Sequence, residues 1–309
     1  MWGVTQNLEN KELLMEEQTQ NSQGRHHKFV KNIPLLILEI CVLLIAIGVM
    51  YVVMTTTGEV ERKQIDHDKI TINDEVVETM ANNDKTEEKG YRNIALFGVD
   101  ARDGELGKGT RSDTIIIASI NQDTQEIKLI SIFRDTYLNL SNDSYNKCNA
   151  AYAQGGPEQA ISMLNANLDL DITDYVTVGF TGLIDAINAL GGVDMEVTEA
   201  EISHLNNYQL TMSEELGVDY IPVEKTGKQL LNGMQATAYC RIRYTKGDDF
   251  RRAERQRDVL TAMMEKAKTA SVGELTEMVN AVLPQVQTSL NVNEVISVLG
   301  SVAGYDVVT

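Results

Sequence analysis

Twenty-two consecutive residues, Ile33 to Met54, carry a single charge, and no other feature restricts this chain so tightly. As a helix rising 1.5 Å per residue the run is about 33 Å long, enough to cross a hydrocarbon core of about 30 Å. The one charge, Glu39, lies toward the N-terminal end, within reach of the headgroups. A cleaved signal peptide has an apolar region of roughly 7–15 residues and an A-x-A-like site, and neither is present, so an uncleaved signal anchor is expected. Arg25, Lys28 and Lys31 precede the run and Arg62, Lys63 and Lys69 follow it, so a plain basic count is tied. Lys31 stands almost at the membrane edge, whereas the far side opens with TTTG and interleaves Glu59 and Glu61. A long C-terminal part translocates largely regardless of flanking charge. The expectation is a cytoplasmic tail over 1–32, a transmembrane anchor over 33–54, and a large domain outside.

The remaining organisation follows from shifts in composition. Residues 1–32 are polar and lack apolar periodicity, as a disordered tail does. Gly58 to Gly90 holds ten acidic and five basic residues, so 55–90 is expected to be a charged stalk. From Tyr91 the pattern becomes that of a folded domain running to Thr309. Asn93–Val99, Thr114–Ile120, Glu126–Phe133 and Tyr175–Phe180 are short apolar runs rich in β-branched residues, predicted as buried strands. Helices are predicted over Pro157–Leu168, Gly182–Leu190, Gly227–Ala238, Phe250–Thr269, Val272–Val286 and Val292–Val302. Strands alternating with helices predict an α/β fold, a sheet covered by helices on its faces. A strand beginning at Tyr305 would have little chain left, so a terminal strand is expected to be incomplete.

Charge and cysteine usage exclude several function classes. A formal charge of −18 disfavours a nucleic-acid partner, because the phosphate backbone would be repelled over most of the surface. The cysteines are Cys41, Cys148 and Cys240, with no paired spacing that suggests zinc. Cys148 and Cys240 read as small buried side chains, with a disulfide between them left open.

Against that acidic background three constellations bear on chemistry. Gly98 to Thr114 joins two predicted strands, so Asp100 and Asp113 would emerge at the exit of one and the entrance of the next, near Arg111. Two carboxylates repel unless a divalent cation lies between them, and Mg²⁺ typically takes one or two carboxylates with water and phosphate. In Ser131–Thr136, Arg134 follows an apolar strand and belongs at the rim, where a salt bridge with Asp135 is the plainer role. Lys147 and Asn149 precede Gly155-Gly156, and a helix N-terminus near Pro157 would favour an anion. The third constellation is the most specific: Cys240 to Asp258 packs Arg241, Arg243, Lys246, Arg251, Arg252, Arg255 and Arg257 together. Arg241 and Arg243 share one face if extended. Arg252 and Gln256, four apart, share one face of the following helix, with Arg255 beside them. Guanidinium groups bind phosphate oxygens bidentately and stay charged, as a pyrophosphate site requires.

In this order the motifs resemble the LytR–CpsA–Psr family of cell-wall glycopolymer ligases. Five pieces carry the resemblance: Asp100 with Arg111-Ser-Asp113; Ser131-Ile-Phe-Arg134-Asp135; and Lys147-Cys-Asn149-x-Ala-Tyr152 with Gly155-Gly156. Leu190-Gly-Gly-Val193 is the fourth. Arg241-x-Arg243 followed by Asp249-Phe250-x-Arg252-x-x-Arg255-Gln256 is the fifth. The resemblance implies a central mixed sheet flanked by helices that enclose an apolar tunnel for a polyprenyl tail. It implies Mg²⁺ or Mn²⁺ on Asp100 and Asp113, with Arg111 nearby. It implies Arg134, Arg241, Arg243 and Arg252 as a pyrophosphate clamp supported by Gln256, and it adds Arg111, Lys147, Asp249 and Arg255 to the binding set. Tunnel walls are expected on the apolar faces of Gly182–Leu190 and Val259–Met264.

Phe133 stands where proline is usual, Cys148 and Cys240 where small or apolar residues are usual, and Arg251 where glycine is common. None of these departures removes a charged group of the clamp. The implied partners are an undecaprenyl-pyrophosphate-linked polymer (teichoic acid, capsule or another anionic glycan) and a peptidoglycan acceptor, in a Gram-positive-type envelope. Two alternatives stay open: a pyrophosphatase acting on the same lipid, and a non-catalytic regulator that binds polyprenyl phosphates.

Overall fold

The computed structural model describes residues 65–83, 90–101, 106–243, 245, 247–291, 294–295 and 304–308. The expected tail and membrane anchor lie outside these residues, as does all but two residues of the helix expected over 292–302. Among the described residues no helix is long and apolar enough to cross a membrane.

The four predicted strands form the centre of one mixed sheet: β1 (Tyr91–Val99), β2 (Ser112–Asn121), β3 (Glu126–Ser131) and, after an intervening hairpin and helix, β6 (Asp174–Val178). The hairpin is β4 (Tyr137–Asn139) with β5 (Tyr145–Lys147), and the helix is α2 (Asn149–Leu168). Two three-residue edge strands complete the order β10-β3-β2-β1-β6-β9: β9 (Val286–Thr288), which sequence patterning does not reveal, and β10 (Asp306–Val308), which starts one residue after the expected Tyr305. Strand β1 is antiparallel to β2 and parallel to β6, β2 is antiparallel to β3, and β10 is parallel to β3. The terminal strand expected from Tyr305 is thus a short edge strand.

Side chains alternate across the sheet, so its two faces have separate fates. Ala95, Phe97 and Val99 of β1 pack with Ile115 and Ile117 of β2 against Ala160, Ile161 and Leu164 of α2. The intervening residues face the other way. Leu96 is opposite Ile116 on one side and Val176 on the other, and Gly98 is opposite Thr114 and Val178. These six positions form a patch two residues deep and three strands wide.

Over that patch lies a helical layer with its own core. It contains α3 (Phe180–Ala189), α4 (Glu199–Leu216), α5 (Gly233–Arg241) and α6 (Asp248–Thr269). A separate two-stranded antiparallel sheet, β7 (Val193–Val197) with β8 (Gly227–Leu231), whose strands are joined through α4, packs among them; Ile187, Val193, Leu205, Leu231, Tyr239 and Val259 are buried together. The helix predicted over Gly227–Ala238 is therefore half wrong, because Gly227–Leu231 pairs with Val193–Val197. The helix begins only after Asn232, whose side chain accepts from the Gln235 N–H while Gln235 reciprocates in a capping box. Helix α4, over which no helix is predicted, carries the same signal in Thr198-x-x-Glu201. The helix predicted from Pro157 is the second part of α2, which starts at Asn149 and breaks helical geometry at Gly156 (φ 73°). The helix predicted over Val272–Val286 ends at Val282 as α7 and closes in a 3₁₀ turn, Leu283–Gln285.

The acidic segment is not spacer throughout. Ile65 is buried in the core beneath α2, the Thr71 N–H donates to the Ser162 hydroxyl, and Asp74–Asn83 forms α1. Its charges conceal several contacts that anchor it to the domain, among them Ile70 against the same core and the Asn165 amide donating to the Thr71 carbonyl.

Gly233 allows α5 to start directly on α3. A Cβ there would meet the carbonyl oxygen, carbonyl carbon and Cα of Ile184, all backbone atoms that have little room to yield. Gly233→Ala is expected to destabilise the domain by about 1–3 kcal/mol, the usual range for overpacking. An unchanged midpoint in urea unfolding would refute this close approach.

Candidate active site

A cavity of about 420 Å³ lies between the open patch of the sheet and the helical layer. Its floor is Leu96, Gly98, Thr114, Ile116, Val176 and Val178, and its helical side includes Phe180, Leu183, Tyr208, Val259 and Leu260. The charged groups lining it are Asp100, Asp113, Arg134, Arg241, Arg243 and Arg252, joined by the amide of Gln256. Residues separated by more than 150 positions thus meet around one space.

The sheet brings the first of these together. Ile116 is opposite Ser131, and the Ile132 N–H donates to the Ile115 carbonyl. Continuing that antiparallel register past the end of β3 sets Arg134 opposite Asp113, and Arg134 Nη1 donates to Asp113 Oδ1 at 2.7 Å. The salt bridge anticipated with Asp135 is longer, 3.9 Å from Nε.

The helices bring the second group. Arg241 is the last residue of α5, where a cation complements the helix dipole. The next residue, Ile242, is extended and fully buried, so Arg241 and Arg243 both reach the cavity around it. The shared face expected of an extended Arg-x-Arg is realised at a helix C-terminus, a correction of local structure. On α6, Arg252, Gln256, Val259 and Leu260 follow the i, i+4, i+7, i+8 spacing of one helical face and all line the cavity.

Electrostatically the site is prepared for an anion. Arg134 Nε, Arg241 Nη1 and both Nε and Nη1 of Arg252 are buried without a hydrogen-bond acceptor. Buried donors are normally satisfied, and the penalty for leaving one unpaired is roughly 1–3 kcal/mol. Burial, followed by repulsion from Arg243 and Arg134, lowers the Arg252 pKa from its ordinary value. Besides the Arg134–Asp113 contact, Asp249 Oδ1 is 3.3 Å from Arg252 Nη1 and Asp113 Oδ2 is 3.8 Å from Arg243 Nη2. The Arg241 guanidinium carbon lies 4.6 Å from the Phe180 ring centre and 5.4 Å from that of Tyr208. These cation–π contacts hold the group by its faces and leave its N–H edge available. Sequence reading does not single out Phe180, which it places at the end of a predicted strand, or Tyr208, which lies in a stretch where it predicts no helix.

Four residues named from motifs do not line this cavity. Arg111 is exposed, and Lys147 is exposed with its ammonium 2.9 Å from Asp135. That contact, with Arg134 close by, keeps the Asp135 carboxyl below its usual pKa. Asp249 touches the site only through Arg252. Arg255 points elsewhere: a helix turns about 100° per residue, so Arg255 and Gln256 leave α6 in different directions. Arg255 is 1% exposed, and its Nε donates to Glu201 Oε1 at 2.8 Å, Nη1 to the Ile242 carbonyl at 3.1 Å and Nη2 to the Thr245 hydroxyl at 2.7 Å. It braces the chain that presents Arg243. Cys148 and Cys240 are free thiols, and burial pushes Cys240, on the cavity wall, up to about 12.

A pair of carboxylates is a donor set that fits Mg²⁺, which fills its other positions with water and phosphate oxygens. Asp100 and Asp113 line the same space, and among the described residues no group of three or more His, Cys, Asp or Glu side chains is placed to hold a metal ion.

The chain shares this architecture with known proteins. It is 33% identical over 225 residues to the polyisoprenyl-teichoic acid–peptidoglycan teichoic acid transferase TagU of Oceanobacillus iheyensis, a stretch covering 70% of this chain and 64% of that protein. The chain thus spans a little under two thirds of that relative's length. A solved structure of TagT bound to LI-WTA superposes with a TM-score of 0.58 at 25% identity, covering 71% of this chain and 77% of that one. TagV of Bacillus subtilis superposes with a TM-score of 0.56 at 28% identity, covering 72% and 84%. The family model for LytR_cpsA_psr matches residues 49–307, and with a mixed sheet, a helical cover and an arginine-lined cavity between them, the chain belongs to the LytR_cpsA_psr family.

Proposed function

We propose that this protein transfers a glycopolymer from a polyprenyl-pyrophosphate carrier to a hydroxyl of a peptidoglycan sugar, on the outer side of a membrane to which residues 33–54 anchor it. The observation that carries this reading is the set of buried, acceptor-less guanidinium N–H groups of Arg134, Arg241 and Arg252 on one cavity whose remaining lining is largely apolar. A diphosphate supplies several anionic oxygens for those donors, and a polyprenyl chain is the kind of group the apolar walls accommodate. TagU, the relative named above, is a transferase of teichoic acid to peptidoglycan.

In this reading Arg134, Arg241, Arg243 and Arg252 bind and orient the diphosphate, and Gln256 supports them from the same face of α6. The acceptor hydroxyl attacks the sugar-proximal phosphorus, a new P–O bond forms, and the bond to the bridging oxygen breaks to release polyprenyl phosphate. A carboxylate of the pair Asp100 and Asp113 takes the hydroxyl proton. The guanidinium groups meet the charge that grows on the equatorial and leaving oxygens, which is where catalysis of phosphoryl transfer concentrates. Asp100 and Asp113 would also hold Mg²⁺ or Mn²⁺, which when bound supplies Lewis-acid stabilisation of phosphoryl oxygen.

The test is a transfer assay with synthetic polyprenyl-pyrophosphoryl saccharide and peptidoglycan oligomers, with and without Mg²⁺. The expected product is saccharide attached to peptidoglycan through a phosphodiester, in wild type but not in Asp100→Asn/Asp113→Asn. Release of polyprenyl phosphate with no attached product would establish hydrolysis instead. Lipid binding without turnover, retained by the double variant, would establish a receptor.

A further inference from the structure

We infer that the stacked tyrosines Tyr137 and Tyr145, on the β4–β5 hairpin, form a platform for pyranose rings of the acceptor glycan at the rim of the cavity. The hairpin is an excursion pinned at the site itself. The Asn149 N–H donates to the Arg134 carbonyl at 3.2 Å, and the Cys148 N–H to the Thr136 carbonyl at 2.8 Å. Tyr137 is three residues beyond Arg134, so its Cα lies within about 11 Å of that of the arginine, whatever the path. Side chains continue the link: Lys147 Nζ is 2.9 Å from Asp135, Asp135 is 3.9 Å from Arg134 Nε, and Arg134 bonds to Asp113.

The register decides which way the rings face. Tyr137 is opposite Lys147 and Asn139 is opposite Tyr145, so the two tyrosines are diagonal neighbours on one face of the ribbon. Leu138 takes the other face and packs toward α2. The ring centres are 5.9 Å apart with planes 26° from parallel, and the residues are 70% and 60% exposed. Two ordered aromatic rings open to water form an amphipathic surface, an apolar face edged by hydroxyl groups. A pyranose matches it, with weakly polar C–H faces and hydroxyls around its edge.

Charge selects between the two polymers that the proposed reaction brings to this rim. From Asp135 to Lys147 the hairpin carries Asp135 and Asp143 against Lys147 alone, and Lys147 is already paired with Asp135. An anionic polymer such as poly(glycerol phosphate) finds no free cation there and no ring to offer. A sugar chain does not need the first and supplies the second, with its hydroxyl held beside the diphosphate under Arg134.

The choice of the acceptor as the glycan rests on the transfer reading, but the test uses binding rather than turnover. The full chain would be titrated with a β-linked N-acetylglucosamine tetrasaccharide, with a peptidoglycan tetrasaccharide, and with poly(glycerol phosphate). Tyr137→Ala/Tyr145→Ala is expected to weaken saccharide binding roughly tenfold or more, on the scale of an interface hot spot. Tyr137→Phe/Tyr145→Phe keeps the rings and should retain most of it, which separates stacking from a general loss of folding. Saccharide binding that is absent in wild type, equal in the alanine variant, or lost equally in the phenylalanine variant would overturn the platform. So would poly(glycerol phosphate) binding that disappears with the tyrosines. Saccharide binding that depends on the rings in a protein unable to transfer would leave the platform standing and count against the transferase alone.

Discussion

Alanine at both Arg241 and Arg243 is expected to lower transfer by about 10³-fold or more, the scale on which single oxyanion donors and arginine fingers act. The fold should survive, because neither side chain supports the core. Arg241 is held through ring faces by Phe180 and Tyr208, and Arg243 approaches Asp113 at 3.8 Å. Removing Arg243 also relieves the repulsion it exerts on Arg252. The measurement is single-turnover transfer set beside thermal unfolding. Wild-type turnover by a folded double variant would remove the arginine clamp from the mechanism. Lysine at Arg241 is not a conservative control there, since an ammonium lacks both the flat faces that stack and the forked edge that binds two oxygens.

Arg255→Ala should produce the reverse pattern, a large loss of stability. Arg255 and Glu201 are 1% and 2% exposed and bonded at 2.8 Å, so deleting one partner leaves the other charge buried. Breaking such a pair costs about 3–5 kcal/mol. At roughly 2–4 °C per kcal/mol for a domain of this size, that is a fall in Tm on the order of 10 °C. The pair also gives stability an acid limb. Burial alone would raise the Glu201 pKa, but hydrogen bonds from the Thr198 N–H and hydroxyl and from Arg255 outweigh it and hold the carboxyl below its ordinary 4.5. The stabilisation is therefore complete above that value and is lost as pH falls through the lowered pKa. Denaturant titrations across the acid range should show a shallower limb in Arg255→Ala than in wild type. Had Arg255 belonged to the clamp, as its motif implies, the variant would lose activity at unchanged stability, so this one substitution separates the two roles.

Much of the fold is legible because its central strands are apolar runs too short for helices and too rich in β-branched residues for loops. The edges are less so. A strand is expected from Tyr305 and Asp306–Val308 forms one, but Val286–Thr288, read as the end of a helix, becomes a strand only because a neighbour offers hydrogen bonds. Gly227–Leu231 reads as the start of a helix until Val193–Val197 pairs with it. The same limit applies at the site. The i, i+4 spacing of Arg252 and Gln256 identifies one helical face, yet the direction of Arg255, one residue earlier, depends on Glu201, 54 positions away.

What the amino-acid order determined by itself is chemistry: seven basic residues concentrated in one stretch of a chain with net charge −18, and two aspartates flanking a loop between apolar strands. What only the tertiary structure decided is allocation. The register of β2 and β3 sets Arg134 on Asp113, α5 and α6 turn Arg241, Arg243 and Arg252 inward, and Glu201 turns Arg255 away. The physical reason is that side-chain periodicity is local, whereas a buried charge takes the direction in which an opposite charge or an anion will meet it, and that partner is supplied by distant chain.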